Sequence, residues 1–322
     1  AAVRVVLPPI DTPPHPPPPR APPPPRAARE RLRSGNPASL LDGVPVAWKD
    51  LFDLKGRVTR AGSVVLAANP PAVQDAALVA AGARAGLVTV GALNMTEFAF
   101  SGIGLNPHFG TPRNPNGTGP ARSPGGSSSA SGVVVAADIV PIAFGTDTGG
   151  SIRIPAAFNG VVGYKTSTGH YPMNGVFPLS RTLDTLGPLA HSVEDCVLAD
   201  TVLRGLQAPD VQAARMAALD FVIPDAVMLD TLSPAVAANF EAAVARLEQA
   251  GARVRRVALP ELAETLDVIT RHAALAAIEA LDVHWDRLHG PDVNRIDARV
   301  VRRIMNAAKT TAVDYAILLR ER

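Results

Sequence analysis

The stretch AFGTDTGGSIRIP, residues 143–155, decides how this chain is read. The apolar residues Val140–Phe144 predict a buried strand, GTDTGG (145–150) a turn, and SIRIPAAF (151–158) the start of a helix. Pro155 falls in or near the first helical turn, where its missing N–H is not needed. Glycine has no Cβ, so successive backbone N–H groups in the turn can point inward. The helix start adds free donors and the positive end of its dipole. Such a nest suits the negative charge of a tetrahedral intermediate, and Ser151 stands directly beside it. The same turn taken alone also suits a helix cap or an anion nest.

A serine alcohol needs a base before it can attack. His108, His170 and His191 qualify by type. None sits in a recognisable triad context, and the chain has no G-x-S-x-G elbow. Lys49 offers another route. It lies in GVPVAWKDLFD (43–53), an apolar run that suits the edge of a buried strand. Burial penalises an ammonium, lowers its pKa and leaves a neutral amine as base. Against this, most lysines are solvated surface charges. The third element is PGGSSSAS (124–131). Its density of Gly and Ser predicts a tight backbone with hydroxyls turned into a site. The apolar segments that follow at once argue against a flexible linker.

In this order, GVPVAWKD (43–50), PGGSSSAS (124–131) and GTDTGGSIRIPAAFNGVVGYK (145–165) resemble the amidase-signature hydrolases. Ser127 and Ser151 are 24 positions apart (151 − 127), the separation of that family's two serines. NMTEF (94–98), GLNPHFGTPRNP (104–115) and LDTLGPLAHSVED (183–195) extend the resemblance. It implies an α/β fold, a central mixed sheet flanked by helices on both faces. It implies a Ser–cis-Ser–Lys triad: Ser151 as acyl-forming nucleophile, Ser127 after a cis peptide from Gly126, and neutral Lys49 as base. The backbone N–H groups of Thr148, Gly149 and Gly150 form the implied oxyanion hole, assisted by that of Ser151. Asp147 and Arg153 are implied organisers of the turn. No metal and no organic cofactor is called for. Ala130 and Gly132 depart from the usual serine loop. Lys165-Thr166-Ser167 departs from the K-P-T of amidotransferase A subunits, which favours a free-standing amidase.

Composition bounds the alternatives. The 322 residues are 47% hydrophobic and 19% charged, as in an ordinary globular protein. A net charge of +2 leaves no electrostatic footprint for nucleic acid. The single cysteine, Cys196, excludes an internal disulfide and fits a reducing cytoplasm. No apolar run is long enough to span a bilayer, and the first residues lack a secretory apolar region. GVVGYKT (160–166) misses the phosphate-loop spacing, and GIGLNP (102–107) lacks the third glycine of a dinucleotide fingerprint. The run PPIDTPPHPPPPRAPPPPR (8–26) predicts polyproline II. We read 1–40 as a poorly ordered proline-rich tail, with helix resuming near Ala27–Ser34, and as a spacer or an SH3-like docking motif. Residues 41–322 read as the catalytic domain, lacking the C-terminal part of its relatives.

Along that domain, helices are expected at Asp75–Ala85, Ser128–Ala137, Ser192–Arg204 and Ser233–Ala250, and strands at 87–94, Leu219–Ile223 and Val254–Ala258. Ser192 and Ser233 are expected N-caps, with Pro234 at the first helical position. The long stretch Gly102–Gly126 reads as a functional loop. The leading expectation is therefore a hydrolase of small-molecule amides, with a homodimer left open. Its rivals are the A subunit of a tRNA-dependent amidotransferase and a truncated, inactive homologue acting as an interaction module.

Overall fold

The computed structural model describes residues 24–206, 214–225 and 229–321. Strands β1 (Pro45–Lys49), β2 (Val88–Leu93), β3 (Ile142–Asp147), β4 (Val162–Gly163) and β5 (Thr185–Ala190) form one sheet in the order β2-β1-β3-β5-β4. β1 runs parallel to β2 and β3, whereas β5 is antiparallel to β3 and β4. The apolar run holding Lys49 is thus an inner strand, hydrogen-bonded on both sides. That explains why it is apolar almost throughout.

Period-two alternation sorts the core onto the two faces of this sheet. Val46 and Trp48 of β1 join Ile142 and Phe144 of β3 in one cluster. Helices α2 (Ala77–Arg84) and α5 (Val193–Leu203) cover it with Leu78, Val79, Ala199 and Val202. Ala47 and Ala143 belong to the opposite cluster, under α3 (Ser129–Ala136) and α4 (Arg153–Asn159). Lys49, two residues beyond Ala47, inherits that second face. Small residues let α3 approach closely: a Cβ on Gly145 would lie 2.6 Å from Ser128 Oγ. Ser192 caps α5 as expected, accepting from the Asp195 N–H at 3.0 Å.

Trp48 anchors the first cluster. It is fully buried, stacks on Phe144 at 4.5 Å between centroids, and donates from Nε1 to Thr89 Oγ1 at 3.0 Å. Trp48→Ala is expected to cost about 3–5 kcal/mol. Urea denaturation measures it, and a loss under about 1 kcal/mol would contradict this packing.

The expected tail over 1–40 divides. Residues 1–23 lie outside the described residues, and with them most of the 8–26 run read as polyproline II or docking motif. At its end, residues 24–26, that reading is corrected, since they open a helix whose first turn tolerates proline. Pro24–Arg33 is helix α1, with Ala28 buried and Arg31 paired to Asp42 at 2.6 Å. That helix packs because Ala28 and Leu32 share a face that meets Gly43.

The chain divides into two compact units, one of Ala1–Pro209 with Glu279–Ala308, the other of Asp210–Ile278 with Lys309–Arg322. The second holds parallel strands β6 (Asp220–Pro224) and β7 (Arg253–Val257), with α6 (Pro234–Gln249), α7 (Pro260–His272) and α10 (Ala312–Glu321). Ser233 precedes α6 in extended conformation but its side chain makes no cap bond, although Pro234 takes the first position. Helix α8 (Leu275–Leu288) enters the first unit at Glu279, followed by α9 (Ala298–Met305).

Candidate active site

Lys49 ends β1 with its ammonium end fully enclosed. Its Nζ lies 2.7 Å from Ser127 Oγ and 2.7 Å from Thr146 Oγ1. Burial pulls its pKa down from 10.5 to about 7, against the opposing pull of Asp184 and Asp147. A neutral amine at this position can accept a proton from a neighbouring hydroxyl.

Ser127 follows a cis peptide bond from Gly126 and is completely buried. Both its flanks are tied down. The Gly126 N–H donates to Gly102 O at 2.9 Å, and Ser127 O accepts from the Thr96 N–H at 3.1 Å. Gly126 cannot carry a side chain, since a Cβ would stand 2.6 Å from Gly104 N. The next residue, Ser128, donates its N–H to Ser151 O at 3.2 Å, which joins the serine loop to the Gly-Gly turn. Ser151 is 8% exposed while Lys49 and Ser127 are 0% exposed. The expected Gly102–Gly126 loop contains no helix or strand. It is pinned by asparagine amides: Asn106 Nδ2 donates to Gly62 O and Met95 O at 2.8 and 2.7 Å, and Asn114 Nδ2 to Phe158 O at 2.8 Å.

Asp147 is bonded to the backbone that follows it and to Arg153. Its carboxylate accepts from the N–H groups of Gly150 (2.7 Å), Ile152 (3.1 Å) and Arg153 (3.3 Å). Arg153 adds Nε at 3.0 Å and Nη2 at 2.9 Å, a two-pronged pair. Burial opposes the charge, yet the guanidinium and these N–H groups hold the carboxyl below the usual carboxylate range. One expectation needs correction. The Gly150 N–H, read as an oxyanion donor, already donates to Asp147 Oδ1. The reason is geometric: Asp147 sits three residues earlier, where an Asp side chain closes a turn on its own backbone. Gly149 stays exposed, and a Cβ there would meet nothing within 4 Å.

The three histidines that qualify by type as bases are engaged elsewhere. His108 Nε2 pairs with Glu97 at 3.1 Å, His170 with Asp200 at 2.6 Å, and His191 with Asp138 at 3.1 Å. Sequence reading missed Thr146 and Asp184. Asp184 Oδ2 accepts from the Leu179 and Ser180 N–H groups at 2.9 and 3.0 Å, and Thr148 Oγ1 donates to its other oxygen. Both residues stand in motif stretches, GTDTGG and LDTLGP, but only strand register brings them to Lys49. Among the described residues, no group of three or more His, Cys, Asp or Glu side chains is placed to hold a metal ion. No helix among them is long and apolar enough to cross a membrane.

A family model described as Amidase matches residues 25–320. The chain belongs to the amidase family. It is 42% identical over 289 residues to 2-amino-5-chloromuconic acid deaminase of Comamonas testosteroni, covering 88% of this chain and 61% of that protein. It is 46% identical over 185 residues to the A subunit of the glutamyl-tRNA(Gln) amidotransferase of Cupriavidus necator, covering 58% and 36%. A crystal structure of an amidase superposes with a TM-score of 0.82 at 36% identity, covering 92% of this chain and 65% of that one. The chain therefore spans less than two thirds of the length of each.

Proposed function

We propose that this chain hydrolyses linear C–N amides through an acyl-enzyme on Ser151. One observation carries the reading: a fully buried Lys49, brought near neutrality, lies 2.7 Å from Ser127 Oγ, and the adjacent Ser128 is bonded to Ser151. Ser151 Oγ attacks the amide carbon as its proton passes through the Ser127 hydroxyl to Lys49 Nζ. The oxyanion is held by the N–H groups of Thr148, Gly149 and Ser151. Lys49 returns its proton through Ser127 to the leaving nitrogen, and the C–N bond breaks. Water then cleaves the acyl-enzyme, giving a carboxylate and restoring Ser151. Because Lys49 acts when neutral, kcat/KM rises with pH through about 7.

A serine-directed fluorophosphonate tests this. Labelling is expected on the peptide carrying Ser151, and to fall by about 100-fold or more in Ser127→Ala, which interrupts the relay. Absence of label on the folded wild type would favour the inactive interaction module instead. The similarity to the A subunit of an amidotransferase supports a second reading, ammonia release for a protein partner. Hydrolysis of free amides by the isolated chain would exclude dependence on partners.

A further inference from the structure

We infer that Asp184 is a positioning residue for this chemistry: its carboxylate holds Thr148 at the mouth of the Gly-Gly turn and sets a negative charge beside Lys49. The inference rests on the amide-hydrolase reading of the site. Asp184 immediately precedes β5 and is buried. It receives hydrogen bonds from the Thr148 hydroxyl and from the Leu179 and Ser180 N–H groups. Burial pushes its pKa up, and these three donors and Lys49 pull against that rise. The two N–H groups can only donate, and the hydroxyl completes a set that matches an ionised carboxylate.

The neighbouring residue works on the same turn. Thr185 Oγ1 donates to Asp147 O at 2.7 Å. Two consecutive residues therefore grip the two residues that lead into the turn, Asp147 through its carbonyl and Thr148 through its hydroxyl. The loop carrying Asp184 is braced from behind. Glu279 of α8 accepts from Ser180 Oγ and Thr182 Oγ1 at 2.6 Å each, and from the Thr182 N–H at 3.0 Å. Thr148 thus has a continuous rigid support running from its hydroxyl to a helix, and a displaced N–H loses its aim at a developing charge.

The charges around Lys49 give Asp184 its second part. Asp184 and Asp147 face Lys49, and Asp147 is already paired with Arg153. Asp50, next in the chain, faces Arg60 and Arg57. On its own side Asp184 faces Lys49, with Glu279 bonded beyond Ser180 and an exposed Arg181–Asp282 pair at 3.6 Å. Of the two carboxylates whose charge acts on Lys49, Asp147 and Asp184, Asp184 is the one with no arginine bonded to it among the described residues, and its charge favours the protonated base.

Two substitutions separate these parts. Asp184→Asn keeps the shape: its oxygen can take both N–H groups and its amide can donate to the Thr148 hydroxyl, while the charge is lost. Thr148→Val keeps the charge and removes the hydroxyl. With a chromogenic aryl amide that the wild type turns over, Asp184→Asn is expected to move the rising limb of kcat/KM to lower pH by about one unit or more. Thr148→Val is expected to lower kcat by about 10- to 100-fold with KM nearly unchanged and the limb in place. Thr148→Ser restores kcat. A limb that stays put in Asp184→Asn, or a wild-type kcat in Thr148→Val, overturns the inference. Should Asp184→Asn not fold, the Thr148→Val and Thr148→Ser pair decides. Fluorophosphonate labelling of wild-type Ser151 keeps the two failures apart. Without label the hydrolase reading fails. With label and without these effects, only the positioning role fails.

Discussion

Ser151→Ala is expected to lower kcat by about five orders of magnitude or more on every amide the wild type cleaves. The substitution removes the hydroxyl of the proposed nucleophile, a residue that keeps 8% of its surface exposed where Lys49 and Ser127 keep none. Little else changes. The bond from the Ser128 N–H goes to the backbone carbonyl of residue 151, which alanine retains. The Asp147–Arg153 pair that closes the turn is also untouched. The thermal midpoint should therefore stay near that of the wild type, so that a lost rate reports chemistry rather than folding. Residual catalysis from the donors of the turn can persist at a low level, because they stabilise charge whatever attacks. Full activity of Ser151→Ala on any amide, measured by product release, would remove the basis for assigning the nucleophile.

Lys49→Met is expected to be nearly as damaging to turnover, by about four orders of magnitude, and to change stability in a direction that identifies the buried amine. The methionine has similar length and no proton to exchange. The sign follows from linkage. In the folded state Lys49 titrates near pH 7; in the unfolded chain it titrates near 10.5. Between those values the unfolded chain binds more protons, so folding stability rises with pH across this window. Below pH 7 both states are protonated and the full cost of enclosing the ammonium is felt. Between pH 7 and 9.5 the wild type should gain about 3 kcal/mol relative to Lys49→Met, one unit of pKa being worth about 1.4 kcal/mol. Urea denaturation of both proteins at the two pH values measures that difference. A gap that does not vary with pH would mean that Lys49 keeps its charge when buried, and the base would have to be sought elsewhere.

Much of the molecule is legible in local pattern. The helices at Ala77–Arg84, Ser129–Ala136, Val193–Leu203 and Pro234–Gln249 lie within two residues of the expected limits at each end. Periodicity and turn residues act over a few positions, and they suffice there. Strand β3 extends to Asp147 rather than stopping at Phe144, because Gly145 and Thr146 pair with β5 at Gly187 and Leu186. β5 itself passed unread. Its sequence TLGPLA has a glycine and a proline that argue against a strand, and its pairing with both β3 and β4 overrides that preference. Helix is expected to resume near Ala27–Ser34 inside a poorly ordered tail; it starts at Pro24, and Ala28 and Arg31 find partners near Gly43 and Asp42.

For the turn at 145–150 and the apolar run at 43–53, residue types point to Ser151 and Lys49 as candidates, while the part of Ser127 and the amide bond enter as what the resemblance of the three motifs implies. Backbone freedom, helix starts and the cost of burying an amine are local properties, and residue types reveal them. The tertiary structure decided which hydroxyls Lys49 touches. It also decided that Thr146 and Asp184 belong to the cluster, and that the Gly150 N–H is spent on Asp147. Those outcomes depend on the register of β1, β3 and β5 and on side chains meeting across the sheet. Register is a relation between distant segments, and no single segment carries it.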